Sequence, residues 1–314
     1  MKKMFALVIA LYCLLLAGCG YTSSRSLFGE TFRYDHPERY TVGGASLTDP
    51  VKHLEIQWLT GHVEIQRSDG DRVEFEETAD RQLSDDLTMR WWLDGETLHI
   101  KFCNTGRWDI GNLQKTLTVT LPNDLPLESA KITTLSADIE APELTVNEID
   151  WSTTSGGMTA QLFDTEHIDA RTVSGTVDLT SYADAKEVKA DSTSGDISLN
   201  LGIVEDLDVG TVSGKIQIAA VKSAQTMLDS TSGAIALQLK EASGACKIGS
   251  VSGAVTLSLP ENAQFAVEFK TVSGSFNSEI ELRKDGNTYL AGSGQNRFEI
   301  STTSGSLEIC KENG

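Results

Sequence analysis

A four-residue signature, two hydroxyl or β-branched residues followed by Ser-Gly, recurs eight times from residue 153 onward. Its copies end at Gly156, Gly175, Gly195, Gly214, Gly233, Gly253, Gly274 and Gly305, with spacings of 19, 20, 19, 19, 20, 21 and 31 residues. Self-similarity at a period near 20 residues points to a solenoid, in which each repeat is one turn of the chain and only contacts its neighbours.

Aligning the units on their glycines assigns a role to each position. Seven residues before the glycine stand Ile149, Ile168, Val188, Leu207, Thr226, Cys246, Val267 and Phe298, and five before it Trp151, Ala170, Ala190, Val209, Leu228, Ile248, Phe269 and Ile300. Between these mostly apolar columns lie Asp150, Asp169, Lys189, Asp208, Met227, Lys247, Glu268 and Glu299. This period-2 alternation predicts a strand. After the glycine it restarts, as in Val177 and Leu179 around Asp178, so a second strand follows each corner. Glycine fits a corner where the chain bends through a dihedral that a Cβ would crowd and where stacked coils approach closely.

One such coil cannot fold alone. Ordering about 19 residues costs roughly 1–2 kcal/mol each, while about five inward side chains return only about 1.5–3 kcal/mol each. Equivalent strands of successive coils run the same way, so parallel stacking is expected, with rungs about 4.8 Å apart and a rod on the order of 50 Å long. Looser matches occur around Ala137 and Gly61. Between them, Leu87, Met89, Trp91 and Leu93 alternate, Asp94-Gly95 gives a type I′ turn signal, and Leu98, Ile100 and Phe102 alternate back. Lys284-Asp285-Gly286-Asn287 marks a further loop or hairpin turn. The expected fold is all-β, a single-stranded parallel β-helix of roughly ten coils with an antiparallel hairpin insertion near the N-terminal end.

The N-terminus reads as an address. Lys2 and Lys3 precede an apolar run from Phe5 to Leu16, followed by Leu16-Ala17-Gly18-Cys19. This is the pattern of an export signal, and the run is short of the ~20 residues that cross a bilayer. The tetrapeptide resembles the lipobox of bacterial lipoproteins, which implies cleavage before Cys19 and acylation of its thiol; an ordinary secretory signal is the alternative. Residues 1–18 are therefore expected to be a signal peptide, 19–45 a lipidated N-terminus and tether without a period, and 46–314 the solenoid. Cys103, Cys246 and Cys310 are left at wide spacing with no CxxC, and free or buried thiols are favoured over a disulfide.

The lipobox, the short first strand Gly61-His62-Val63-Glu64-Ile65, the Leu117-Thr118-Val119-Thr120-Leu121-Pro122 segment and the serial Ser-Gly coils together resemble the bacterial putative-adhesin family, a β-strand-repeat domain of unknown function. The resemblance covers roughly residues 45–310. It implies a β-helical fold outside the cytoplasm and brings no catalytic residues.

Charge narrows the partners. The 45 acidic residues exceed the 26 basic ones, a formal net charge of -19, which argues against a nucleic-acid ligand because a phosphate backbone needs a basic face. The five histidines, His36, His53, His62, His99 and His167, form no metal-ligand motif, and no metal or cofactor is expected. Corner serines repeat with the same neighbours, whereas a nucleophile needs one special environment. Aligned acids at Asp150, Asp169, Asp208, Glu268 and Glu299 read chiefly as a solvated face interrupted by Lys189 and Lys247, with cation binding or carboxylate catalysis as the alternatives. Trp58, Trp91, Trp92, Trp108 and Trp151 crowd the first half, where they either close the end of the core or stack on a ligand; Trp92 faces outward and is the ligand candidate. The expected protein is a monomeric, lipid-anchored, extracytoplasmic solenoid with a non-catalytic binding, adhesion or scaffolding role towards an envelope protein or glycan. A polysaccharide-processing β-helix enzyme and an envelope-stress or signalling lipoprotein are the alternatives.

Overall fold

A computed structural model describes residues 32–106, 110–242 and 244–312; the export segment, Cys19 and Trp108 lie outside them. The described residues are all-β, apart from single 3-10 turns at Pro37–Arg39 and Asp85–Leu87, and no helix among them is long and apolar enough to cross a membrane.

Each repeat supplies two strands that meet at its Ser-Gly corner, and each pairs in parallel with its equivalents in the flanking repeats. Ile168 lies opposite Ile149 on one side and Val188 on the other, and Val177 lies opposite Met158 and Ile197. The register continues through the long strands Ile197–Thr211 and Ile216–Ser230. The two inward columns of each strand are buried except in the terminal coil, where Phe269 and Phe276 are half-buried and Ser278 is exposed, and large and small side chains complement each other along the stack: Trp151 is followed by Ala170 and Ala190.

The corners are held by two devices. The hydroxyl three residues before the glycine bridges the turn, and at every corner but that of Gly274 it is buried. Thr172 Oγ1 accepts from Gly175 N at 2.9 Å and Ser192 Oγ from Gly195 N at 2.8 Å, whereas Ser230 and Ser250 donate to the carbonyls of Gly233 and Gly253. The glycine is required by close approach alone. A Cβ on Gly175, Gly195, Gly214, Gly233 or Gly253 would lie under 3.0 Å from the carbonyl oxygen of the preceding corner glycine, and one on Gly156 would meet the carbonyl of Ala137 in the same way. The expectation of an unusual dihedral at these corners is corrected: none of the eight has a positive φ. Gly61 is different, with a φ of 95° and a Cβ position blocked by the Lys115 backbone, so only glycine fits there on both grounds.

Stacking order departs from chain order at both ends. Phe298 lies between Cys246 and Val267, and a Cβ on Gly305 would meet Gly253 while one on Gly274 would meet Gly305. The last coil in sequence is therefore one place in from the end. The first coil is likewise enclosed: Leu54 lies between Leu98 and Ala130, and Val63 between Leu117 and Ile139. The outermost places go to coils whose free edges carry antiparallel partners. Val73–Ala79 pairs with Lys115–Pro122, Arg90–Asp94 with Thr97–Lys101, and Thr288–Ala291 with Phe265–Lys270. An exposed sheet edge invites pairing with other chains, and these strands cover it.

Three further expectations are corrected here. The Trp91 hairpin is not an insertion beside the stack, because its second strand, Thr97–Lys101, pairs in parallel with His53–Gln57 and is itself a terminal rung. Its two-residue loop is Gly95-Glu96, flanked by the paired Asp94 and Thr97, with Gly95 at φ 60°. The described part of the proposed tether belongs to the fold: Phe32 is only 4% exposed, and Thr41–Val42 and Ala45–Leu47 pair with the capping strands.

Replacing Gly214 by Val drives a Cβ into the Gly195 carbonyl at mid-stack and forces the two coils apart beside their ladders. Thermal or urea unfolding is expected to show a loss of about 3 kcal/mol or more, as for overpacking combined with a broken backbone ladder. An unchanged melting temperature would contradict the close-approach role of the corner.

Candidate functional site

Strand alternation places one residue of each coil outward between the two buried columns, and parallel register lines these residues up. The column runs Asp150, Asp169, Lys189, Asp208, Met227, Lys247, Glu299 and Glu268. Most of its acids have a basic neighbour. Lys131 Nζ is 2.6 Å from Asp150, Arg171 pairs with Asp169, Arg297 Nη2 is 2.8 Å from Glu299, and Lys270 Nζ is 2.8 Å from Glu268. A cleft of about 310 Å³ opens on this face, lined by Glu148, His167, Asp169, Glu187 and Lys189. Among the described residues, no three His, Cys, Asp or Glu side chains are grouped so as to hold a metal ion.

Asp191, Asp208 and Asp229 stand apart from this pairing. Asp191, one outward position further along its strand, has its carboxyl pushed up to about 6, first by burial and then by the charge of Asp208. Asp169, Asp208 and Asp229 are also raised, burial being the leading cause in each. In the ladder Asp191 and Asp229 flank Gly210, so no side chain intervenes between their strand positions.

The tryptophans divide as alternation requires. Trp58 and Trp151 are fully buried, and Trp91 packs inward on Phe75 with ring centroids 5.3 Å apart. Trp92 faces out, but the ligand platform expected there is already clothed by the chain. His99 stacks on it at 5.3 Å, Tyr40 meets it edge-on at 5.7 Å, and the Arg39 guanidinium lies 5.0 Å from its centroid. The segment read as tether supplies Tyr40 and Arg39.

The end of the core is closed by Lys115, which occupies the corner position opposite Gly61. Its ammonium is fully enclosed, 2.6 Å from Glu77, 2.9 Å from the Leu87 carbonyl and 4.0 Å from the Phe102 ring centroid. Burial lowers its pKa and the Glu77 charge opposes that shift. Cys246 is buried, which pushes its thiol up to about 12, and neither it nor Cys310 is in a disulfide.

An aromatic pair not anticipated from the sequence lies at the other bend of the coil. Phe163 and Tyr182 stack with centroids 4.8 Å apart and an interplanar angle of 18°, one rung spacing. Tyr182 Oη lies 3.2 Å from Gln161 Oε1, to which it donates, and the residue remains 61% exposed. Continuing the Thr180–Asn200 register puts Gly202 at the equivalent place in the following coil, a position without a side chain. Both residues sit outside the columns aligned on Ser-Gly, where only their aromatic character could have drawn notice.

The Asp191 environment fixes a sign. A carboxyl whose folded pKa exceeds its unfolded value of about 3.9 holds its proton more tightly when folded, so its stabilisation is complete below about pH 4 and is lost as pH rises through 6. Asp191→Asn is expected to match the parent near pH 4 and to exceed it by about 1–2 kcal/mol at pH 7. Denaturant unfolding at the two pH values checks this, and a difference that does not change with pH would contradict it.

A family model described as Toastrack DUF4097 matches residues 51–310. Among solved structures, a putative cell adhesion protein from Clostridium sporogenes ATCC 15579 is 12% identical, covering 87% of this chain and 100% of its own with a TM-score of 0.24. A putative adhesin from Parabacteroides merdae ATCC 43184 is also 12% identical, covering 86% and 96% with a TM-score of 0.41. No curated protein matches. The matched span takes in all eight Ser-Gly corners and both capped ends of the stack, and the chain belongs to the Toastrack DUF4097 family.

Proposed function

We propose that this chain is a non-catalytic binding or adhesion module of the bacterial cell envelope, a parallel β-helix of roughly ten coils held at the membrane through acylated Cys19. The observation that carries the binding reading is the Phe163–Tyr182 stack. An aromatic ring held by a neighbour on one face and left 61% exposed suits a flat, partly apolar ligand face such as that of a pyranose ring. The parallel ladders give that ring a rigid mounting, so little ordering entropy is lost on binding. The relatives' descriptions as adhesion proteins agree with this reading.

One observation favours a second reading. Asp169, Asp191 and Asp208 have raised pKa values on one face, as a general acid in a polysaccharide-processing enzyme would. The two readings separate on a single experiment with the full-length chain in detergent, probed on an array of cell-wall and capsular glycans. Binding without turnover is expected, falling about tenfold, or about 1.4 kcal/mol, in Tyr182→Ala and unchanged in Asp191→Asn. Glycan cleavage that disappears in Asp191→Asn would replace the binding reading with the enzymatic one.

The anchor is tested separately. Cys19→Ala is expected to move the protein from the membrane pellet to the soluble fraction, since the acyl chains supply about 0.8 kcal/mol per buried methylene. Continued tight association with membranes would contradict lipid anchoring.

A further inference from the structure

The segment from Phe32 to Tyr40 lies across the outer face of the N-terminal cap, and the groups beneath it are not those a protein buries without a counter-charge. Register places Gln57, Lys101 and Arg90 in one row on three adjacent strands, with Gln57 opposite Lys101 and Lys101 opposite Arg90. Lys101 and Arg90 are each only 5% exposed. Like charges directly opposite each other on a sheet repel, and burial strengthens the repulsion.

Their partners are incomplete. Arg90 Nη2 is 3.0 Å from both the Asp85 carbonyl and its carboxylate, but Nη1 is buried with no hydrogen-bond partner. Among the described residues Lys101 makes no hydrogen bond or ion pair; Glu55 and Asp35 act on it only through longer-range attraction. Burial lowers its pKa to about 8, which leaves it largely charged at neutral pH. Two more buried polar atoms in the same region, Tyr34 Oη and Gln57 Oε1, are also without partners. Tyr34 belongs to the covering segment, where its amide donates to Thr105 Oγ1 at 3.2 Å and Gly106 N donates to the Phe32 carbonyl at 2.7 Å. It is near enough to Arg90 to feel its charge. Buried polar groups are nearly always paired, and three unpaired atoms in one region, Arg90 Nη1, Tyr34 Oη and Gln57 Oε1, are costly to leave so.

We infer that Arg90, Lys101 and Tyr34 form an anion site under the N-terminal segment, built for a small oxyanion of the phosphate or sulfate class. The donors suit that ligand. A guanidinium edge without a partner, an ammonium on the adjacent strand and a phenol hydroxyl from the covering segment are the donor types that hold the oxygens of such an ion. The anion would neutralise the opposed cations and tie the covering segment to the cap through Tyr34. It would also explain why a chain of net charge -19 encloses two cations beneath its N-terminal segment instead of leaving them on the surface.

The test uses the full-length chain in detergent with inorganic phosphate as the probe. Equilibrium dialysis should show saturable binding of about one phosphate per chain, competed by sulfate and not by chloride at equal ionic strength. The melting temperature should keep rising with the logarithm of phosphate concentration once that exceeds the dissociation constant, as for any ligand that binds only the folded state. Lys101→Met should lose the phosphate response while melting no lower than the parent in chloride, because the repulsion is removed. Tyr34→Phe should weaken binding about tenfold and keep the fold. Absence of saturable binding to the parent chain, or a phosphate response in Lys101→Met equal to the parent's, would overturn the assignment. Should Lys101→Met fail to fold, the dialysis result and Tyr34→Phe decide the matter alone.

Discussion

The structure depends on one steric fact, the contact between the backbone carbonyl of one corner and the bare Cα of the next. Because each corner glycine leaves room for the oxygen of its neighbour, the coils can close to β-ladder spacing at their sharpest bend. The buried hydroxyl three residues earlier then satisfies a corner amide or carbonyl that the bend removes from the ladder. A side chain at the glycine would separate the coils there, and the inward columns on both strands would lose contact. Corner chemistry and core packing are therefore one constraint.

A stack of this kind has two ends, and each is an exposed ladder edge and an open core. Both are managed by placing a coil with antiparallel partners outermost and enclosing the chain's first and last coils one place inside. The apolar interior is closed at one end by Trp58, Phe102 and the enclosed ammonium of Lys115. The resulting body is stiff along its faces, which suits presentation of an exposed group such as Tyr182. The faces themselves are laced with ion pairs between neighbouring coils, which favour solubility more than stability.

Much of this was legible in the sequence because two signals are local. The Ser-Gly spacing sets the repeat, and period-2 alternation sets which side chains go inward; Trp91 inward and Trp92 outward follow from it. What escaped is non-local. The gap before Gly305 announces an interruption, but only hydrogen bonding between distant strands decides that Phe298 lies between Cys246 and Val267. Residues 32–45 carry no period because their strands are two and three residues long. Nothing local in the sequence shows that other segments cover Lys115, Lys101 and Arg90. Trp92 was legible as outward but not as clothed, because Arg39 and Tyr40 reach it from a segment without pattern. Tyr182 was missed because the alignment on glycines leaves the second bend out of every column.

The most direct test of the stacking is a set of nuclear Overhauser contacts in solution between residues that only the ladder brings together. The account predicts cross-strand contacts from Val209 to Ala190 and Leu228, from Phe298 to both Cys246 and Val267, and none from Cys246 directly to a strand containing Val267. Direct pairing of Cys246 with Val267, or the absence of contacts between Val209 and its repeat equivalents, would contradict it.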